Sequence, residues 1–154
     1  FKEYSTDVMP QANGSNPGYS AYDSDVAKCQ IQDAKANGSD VVIVYFHFGN
    51  EYSRSPNPDQ EKMAHEVIDY GADAVLGSHP HVTQGIEMYK GKPIFYSLGN
   101  FIFDMSNSAT HIAYIVKIDF VNDTGECTVY PVIISGYLPY FMGPDEGTSL
   151  LNSL

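Results

Sequence analysis

Two apolar runs frame the chain. Val41-Val42-Ile43-Val44-Tyr45-Phe46 is continuously apolar and β-branched at its start, the pattern of a parallel strand covered on both faces. His47 ends it. A shorter strand follows at Ala74 to Gly77. Between the two lies the clearest helix signal. Asn57 is a good cap, Pro58 suits the first helical position, and Gln60 completes a capping-box pair with Asn57. Met63, Ala64, Val67 and Ile68 form its buried stripe, and Gly71 stops it. Upstream, Asp23 or Ser24 caps a helix over 25–36 with a weak apolar face at Val26, Cys29, Ile31 and Ala34, ended by Gly38. Helix, strand, helix, strand makes a βαβ crossover preceded by a helix, so the class is α/β.

On either side the period changes. Residues 1–22 hold Pro10, Asn13-Gly14, Pro17 and Gly18 without a sustained pattern and read as loop and turn. Beyond the second strand, Ile86 to Tyr89, a Lys90-Gly91-Lys92 turn and Pro93 to Leu98 read as a hairpin. Met105 to Thr110 is a polar loop. Ile112, Tyr114, Val116, Ile118 and Phe120 alternate along one strand, Asn122 to Gly125 turns, and Glu126 to Ser135 returns. From Gly136 the chain reads as coil, with a short helix near Leu150. The expected organisation is one domain over 1–154: an irregular lead-in (1–22), a helix-strand-helix-strand unit (23–83), antiparallel strands (84–140) and a tail (141–154).

If the two apolar strands are parallel neighbours, His47 meets Gly77-Ser78-His79-Pro80-His81 at the carboxyl edge of one sheet, where open α/β sheets bind ligands. Gly77 and Pro80 are expected to force the turn there. Three neutral imidazoles in one place suit a transition metal such as Zn, Mn or Fe; alternatively His-Pro-His only shapes a loop. Glu51, four residues after His47, is a candidate metal ligand, imidazole partner or general acid/base, or else a loop carboxylate paired with Arg54 or a lysine. Asn100 and Ser97 are candidates to place an amide and a hydroxyl at the same edge, and Asp104 is a weaker one. His65 reads as a solvated helix residue and His111 as structural.

Charge narrows the partners. With 154 residues and a net charge of −11, the eight Lys and Arg are scattered, whereas nucleic-acid binding needs clustered cations. An anionic substrate would need a local offset such as a bound metal. Cys29 and Cys127 read as ordinary thiols. No Gly-rich phosphate loop and no Gly-x-Ser-x-Gly elbow occurs. The sequence has no transmembrane run or signal peptide, and its opening at Phe1 reads as that of a piece of something longer.

Several of these motifs coincide with a known family. His47-Phe48-Gly49-Asn50-Glu51-Tyr52 resembles the His-Trp-Gly-x-Glu-Tyr motif of the poly-γ-glutamate capsule-synthesis (CapA-type) proteins, with Phe48 in place of Trp. Gln60, Ile68 to Asp73, Gly77 to Val82, Tyr96 to Phe101, Pro131 and Gly136 to Pro139 follow in that family's order. The resemblance implies the carboxyl-terminal half of a calcineurin-like metallophosphatase fold: two sheets, part parallel and part antiparallel, flanked by helices, with one or two divalent metals at the sheet edge. It implies His47, His79 and His81 as metal ligands, with Ser78 an inserted departure, and Glu51 and Asn100 in support. The implied role is metal-dependent hydrolysis or transfer in making poly-γ-glutamate or another envelope polymer. Alternatives are a phosphoesterase on another substrate and a non-catalytic envelope assembly or binding protein. The family's earlier Gly-Asp, Asn-Leu-Glu and Asn-Asn-His elements have no counterpart here, so the chain alone is expected to be inactive. The missing amino-terminal half, or a homo-oligomer, is expected to cover open sheet edges. The substrate expected is an anionic polymer or phosphoester, and the parent a bacterial envelope protein, extracytoplasmic or membrane-anchored.

Overall fold

The computed structural model describes residues 11–103, 105–121 and 124–152. Asp104 lies outside the described residues, as do residues 1–10 of the lead-in and Asn122 and Asp123 of the predicted turn. Helix α1 (Ser24–Ala36) starts where Asp23 accepts a hydrogen bond from the Val26 N–H, and α2 (Pro58–Asp69) starts on a complete Asn57–Gln60 capping box. Strands β1 (Ile43–His47), β2 (Ala74–Ser78), β3 (Ile86–Tyr89) and β4 (Lys92–Phe95) form one sheet in the order β1-β2-β4-β3, with β1, β2 and β4 parallel and β3 antiparallel. A second, antiparallel sheet holds β5 (Ile112–Val121), β6 (Thr124–Ser135) and β7 (Leu138–Phe141). Helix α3 (Pro144–Leu151) follows and packs on β6. The class is α/β, with one mixed sheet, one antiparallel sheet and flanking helices.

Alternation along the strands decides what is buried. Phe46 and Val75 face α1 and α2 and join Ile31, Ala64, Val67, Ile68 and Ile94 in one apolar core. The opposite face of β1 is open: Ile43 is 46 % and Tyr45 60 % exposed. The expectation of a strand covered on both sides is therefore corrected. The apolar run records a surface suited to burial, but β1 is an edge strand, and among the described residues no other strand pairs along its outer side.

The tail also differs from the coil expected. Gly136 and Tyr137 both take positive φ, 55° and 71°, the conformation of a tight two-residue hairpin turn, and β7 pairs back on β6. The helix near Leu150 begins earlier than expected, at Pro144. In the first hairpin, β4 ends at Phe95; Leu98 instead bridges to Thr83. The sheets approach each other where Gly125 lies against Pro93, and Tyr114 N–H donates to Leu98 O at 2.9 Å.

At the amino-terminal end of the first sheet, Asp73 ties four elements together. Its carboxylate accepts from Lys35 at 2.5 Å, Lys92 at 2.8 Å and the Val42 N–H at 2.9 Å, while its own N–H donates to Val42 O. Burial opposes its charge, but these donors prevail and hold the carboxyl below its ordinary value.

Candidate functional site

Parallel pairing sets His47 opposite Ser78 at the carboxyl ends of β1 and β2. By alternation His47 lies on the same face as Ile43 and Tyr45, away from the helices. Its Nδ1 is 3.1 Å from Ser78 Oγ. Immediately after β2 the backbone turns, and here a further expectation is corrected. Gly77 does not make the turn through a positive φ; it is needed for space, because a Cβ there would come within 2.1 Å of the Tyr96 carbonyl oxygen. The histidines themselves turn the chain, His79 at φ 103° and His81 at φ 59°. Non-glycine residues in this region are strained, and such strain gathers at functional sites.

The turn brings the rings together. The centroids of His47 and His79 are 4.8 Å apart, and those of His79 and His81 6.2 Å. Burial lowers the His47 imidazole from its usual value and His81 adds to this, although solvent reaches the residue. Burial and His47 likewise lower His79, against the opposing pull of the Glu51 carboxylate. Both shifts favour neutral rings with a nitrogen lone pair to offer.

The loop after β1 is pinned over this turn. Tyr52, itself at φ 62°, donates its N–H to Pro80 O at 2.8 Å, and Phe48 N–H donates to Ser78 O at 3.0 Å. Below the loop, Gln84 Nε2 donates to the carbonyls of Ser53 and Ser55, both at 3.0 Å, and Gln84 Oε1 accepts from Gln60 Nε2 at 2.9 Å. Gly49, at φ 96°, leaves room for that Gln60 amide. Glu51 is thereby held within electrostatic reach of His79.

Asn100 meets the cluster from the far side, with Oδ1 2.9 Å from His81 Nδ1. Phe103 packs on His81 at 5.4 Å between ring centroids. Ser97 does not reach the rim: it is buried, and its Oγ accepts from the Gly99 N–H. His111 binds the Met105 carbonyl through Nε2 at 2.7 Å, a structural contact. His65 is not a solvated helix residue. It stacks on Tyr89 with 3.9 Å between centroids, and its Nε2 sits 3.0 Å from a Glu87 carboxylate oxygen. Cys29 and Cys127 are free and exposed. Sequence reasoning named Ser78 only as an insertion, without its contact to His47, and missed Phe103 and Gln84. Ser78 alone had a signal, its position opposite a histidine once the strands are aligned.

A cavity of about 680 Å³ adjoins the imidazoles, walled by Tyr19, Tyr22, Val26, Tyr45 and Phe103 and reaching His47 and His81. A metal is tested here by donor type and by closure. The type fits: neutral imidazoles, two of them with Nδ1 beside a side-chain oxygen, as metal-binding histidines commonly are. Closure is incomplete, because among the described residues no group of three or more His, Cys, Asp or Glu side chains is placed to hold an ion. Among the described residues the three histidines do not by themselves make a set that holds an ion.

Fold and site together define an α/β protein with an imidazole cluster on a strained turn at the carboxyl edge of parallel strands. The bacterial capsule synthesis protein PGA_cap family matches residues 2–105, and the chain belongs to that family. It is 39 % identical over 129 residues to the PGA biosynthesis protein CapA of Bacillus subtilis (strain 168), covering 83 % of this chain and 34 % of the relative. It is 41 % identical over 109 residues to the capsule biosynthesis protein CapA of Bacillus anthracis, covering 69 % of this chain and 26 % of the relative. The chain thus spans a quarter to a third of the length of these relatives.

Proposed function

We propose that this chain carries the imidazole-bearing part of a metal-assisted hydrolase or transferase site that works in the synthesis of a poly-γ-glutamate capsule or a related cell-envelope polymer. The observation that carries the chemistry is the gathering of His47, His79 and His81 at one sheet edge, two of them held at positive φ. The biological role rests on family membership and on the printed roles of the two Bacillus relatives.

In this reading His47, His79 and His81 offer lone pairs to a divalent transition metal, Mn, Zn or Fe, with one or two ions in the complete site. When bound, the metal supplies Lewis-acid charge and an acidified water. Its positive charge also offsets the repulsion between an anionic polymer and a chain of net charge −11. Glu51 stands as acid/base or charge partner beside His79, and Asn100 orients His81. The remaining ligands come from polypeptide that lies against the open face of β1: the amino-terminal portion of a longer protein, or a second copy.

The test uses the full-length protein. Elemental analysis is expected to find bound Mn, Zn or Fe, lost in the His79→Ala/His81→Ala double variant, with parallel loss of γ-glutamyl polymer cleavage or transfer. Hydrolysis of a generic phosphodiester without action on the polymer would replace the polymer role with a phosphoesterase. Polymer binding with neither metal nor turnover would overturn the catalytic reading in favour of an assembly protein.

A further inference from the structure

We infer that Asn100 is a positioning residue that fixes His81 in the tautomer protonated on Nδ1, leaving the Nε2 lone pair for the site. The proton can be located because the described partners of the Asn100 amide nitrogen can only accept. Asn100 Nδ2 lies 3.3 Å from the Thr110 carbonyl oxygen and 3.6 Å from the Met105 sulfur. Both are acceptors with no hydrogen to give. They require the amide nitrogen on their side and so turn Oδ1 toward His81, 2.9 Å from Nδ1. A carboxamide oxygen cannot donate, so the ring nitrogen facing it carries the hydrogen. In a neutral imidazole the other nitrogen is then the acceptor.

The orientation is built in from a distance. Thr110 is 1 % exposed, and its N–H and Oγ1 both donate to Asn107 O, at 3.0 and 2.6 Å, within the short 3-10 turn Ser108–His111. Gly99, at φ 76°, brings the backbone before Asn100 close against β5, where a Cβ would lie 2.6 Å from the Ile112 carbonyl oxygen. The loop and 3-10 turn that lead into β5 thus set the amide that sets the ring. The His47–Ser78 pair lacks this logic, since a hydroxyl can donate or accept, and 3.1 Å serves either direction.

This inference deepens the proposed function and rests on it only for what the lone pair binds. It is tested in the metal-free chain labelled with ¹⁵N-histidine, by long-range proton–nitrogen correlation at a pH well above the ordinary imidazole value. His81 is assigned by its loss in His81→Gln. The wild type is expected to show a protonated Nδ1 and a bare Nε2 at His81. Asn100→Leu is expected to lose the Nδ1–H form in favour of Nε2–H, and Asn100→Asp, which keeps the acceptor, to retain it. An Nε2–H tautomer in the wild type would overturn the inference. So would an Nδ1–H form that persists in Asn100→Leu while circular dichroism shows the fold intact. Should Asn100→Leu fail to fold, the wild type and Asn100→Asp still decide. Metal titration of the full-length protein is a separate measurement, so a failed metal reading is told apart from a failed tautomer assignment.

Discussion

Gln60 and Gln84 join their side-chain amides 2.9 Å apart in the interior, each about 1 % exposed. Gln60 Oε1 also accepts the Asn57 N–H at the start of α2, and Gln84 goes on to hold two carbonyls of the loop that bears Glu51. One chain of hydrogen bonds therefore runs from a helix cap to the rim of the histidine cluster. Replacing Gln84 by Leu strands the buried Gln60 amide and frees both loop carbonyls, at a cost of roughly 1–3 kcal/mol. Urea unfolding is expected to show that loss, and hydrogen exchange to quicken across residues 49–56 first.

Asp73 predicts the acid limb of stability. Its folded carboxyl titrates below the ordinary value of 3.8 because two lysines and a backbone N–H outweigh burial. The unfolded chain thus takes up the proton first. The stabilisation is complete above the unfolded value and fades as pH falls through the lower folded one. Asp73→Asn is expected to cost about 1–3 kcal/mol near neutrality and to flatten the loss of stability below about pH 4. Denaturant midpoints measured from pH 7 to pH 2 check both; an unchanged slope would count against the arrangement.

The turn at His79 reverses the usual order of alanine and glycine. At φ 103° a Cβ is strained, whereas glycine is not. His79→Gly is therefore expected to be more stable than His79→Ala by about 1 kcal/mol, read from thermal midpoints. In an ordinary extended or helical position the preference would run the other way.

Gly77 has the opposite sensitivity. Its backbone is unstrained, but a methyl group would run into the Tyr96 carbonyl oxygen and the Phe48 ring. Gly77→Ala must part β2 from the segment after β4, and it is expected to cost about 3 kcal/mol or more. Poor soluble yield and a lowered unfolding midpoint are the expected signs.

Local signals were legible in the sequence and remote ones were not. The Asn57–Gln60 cap follows from residues close together in the chain, whereas the meeting of His47 with His79 and His81 hangs on one condition, that two separate apolar runs lie side by side in parallel, which they do. Ile43 and Tyr45 misled because apolarity records that a surface is meant for burial without saying which polypeptide buries it. β7 stayed hidden because Tyr137 occupies a turn position where glycine or asparagine is usual, and Pro139 weakens the strand pattern. The surroundings of His65 are not legible because Glu87 and Tyr89 reach it from a hairpin more than twenty residues on. The Thr110 carbonyl that orients Asn100 leaves no trace in the sequence at all.

Strand β1 ends in His47, and among the described residues no strand pairs with its outer amides and carbonyls, beside the exposed Ile43 and Tyr45. Such a border is a template for aggregation. Concentrating this chain by itself therefore invites edge-to-edge stacking at the strand that delivers the first imidazole, so the same few residues govern both solubility and access to the cluster.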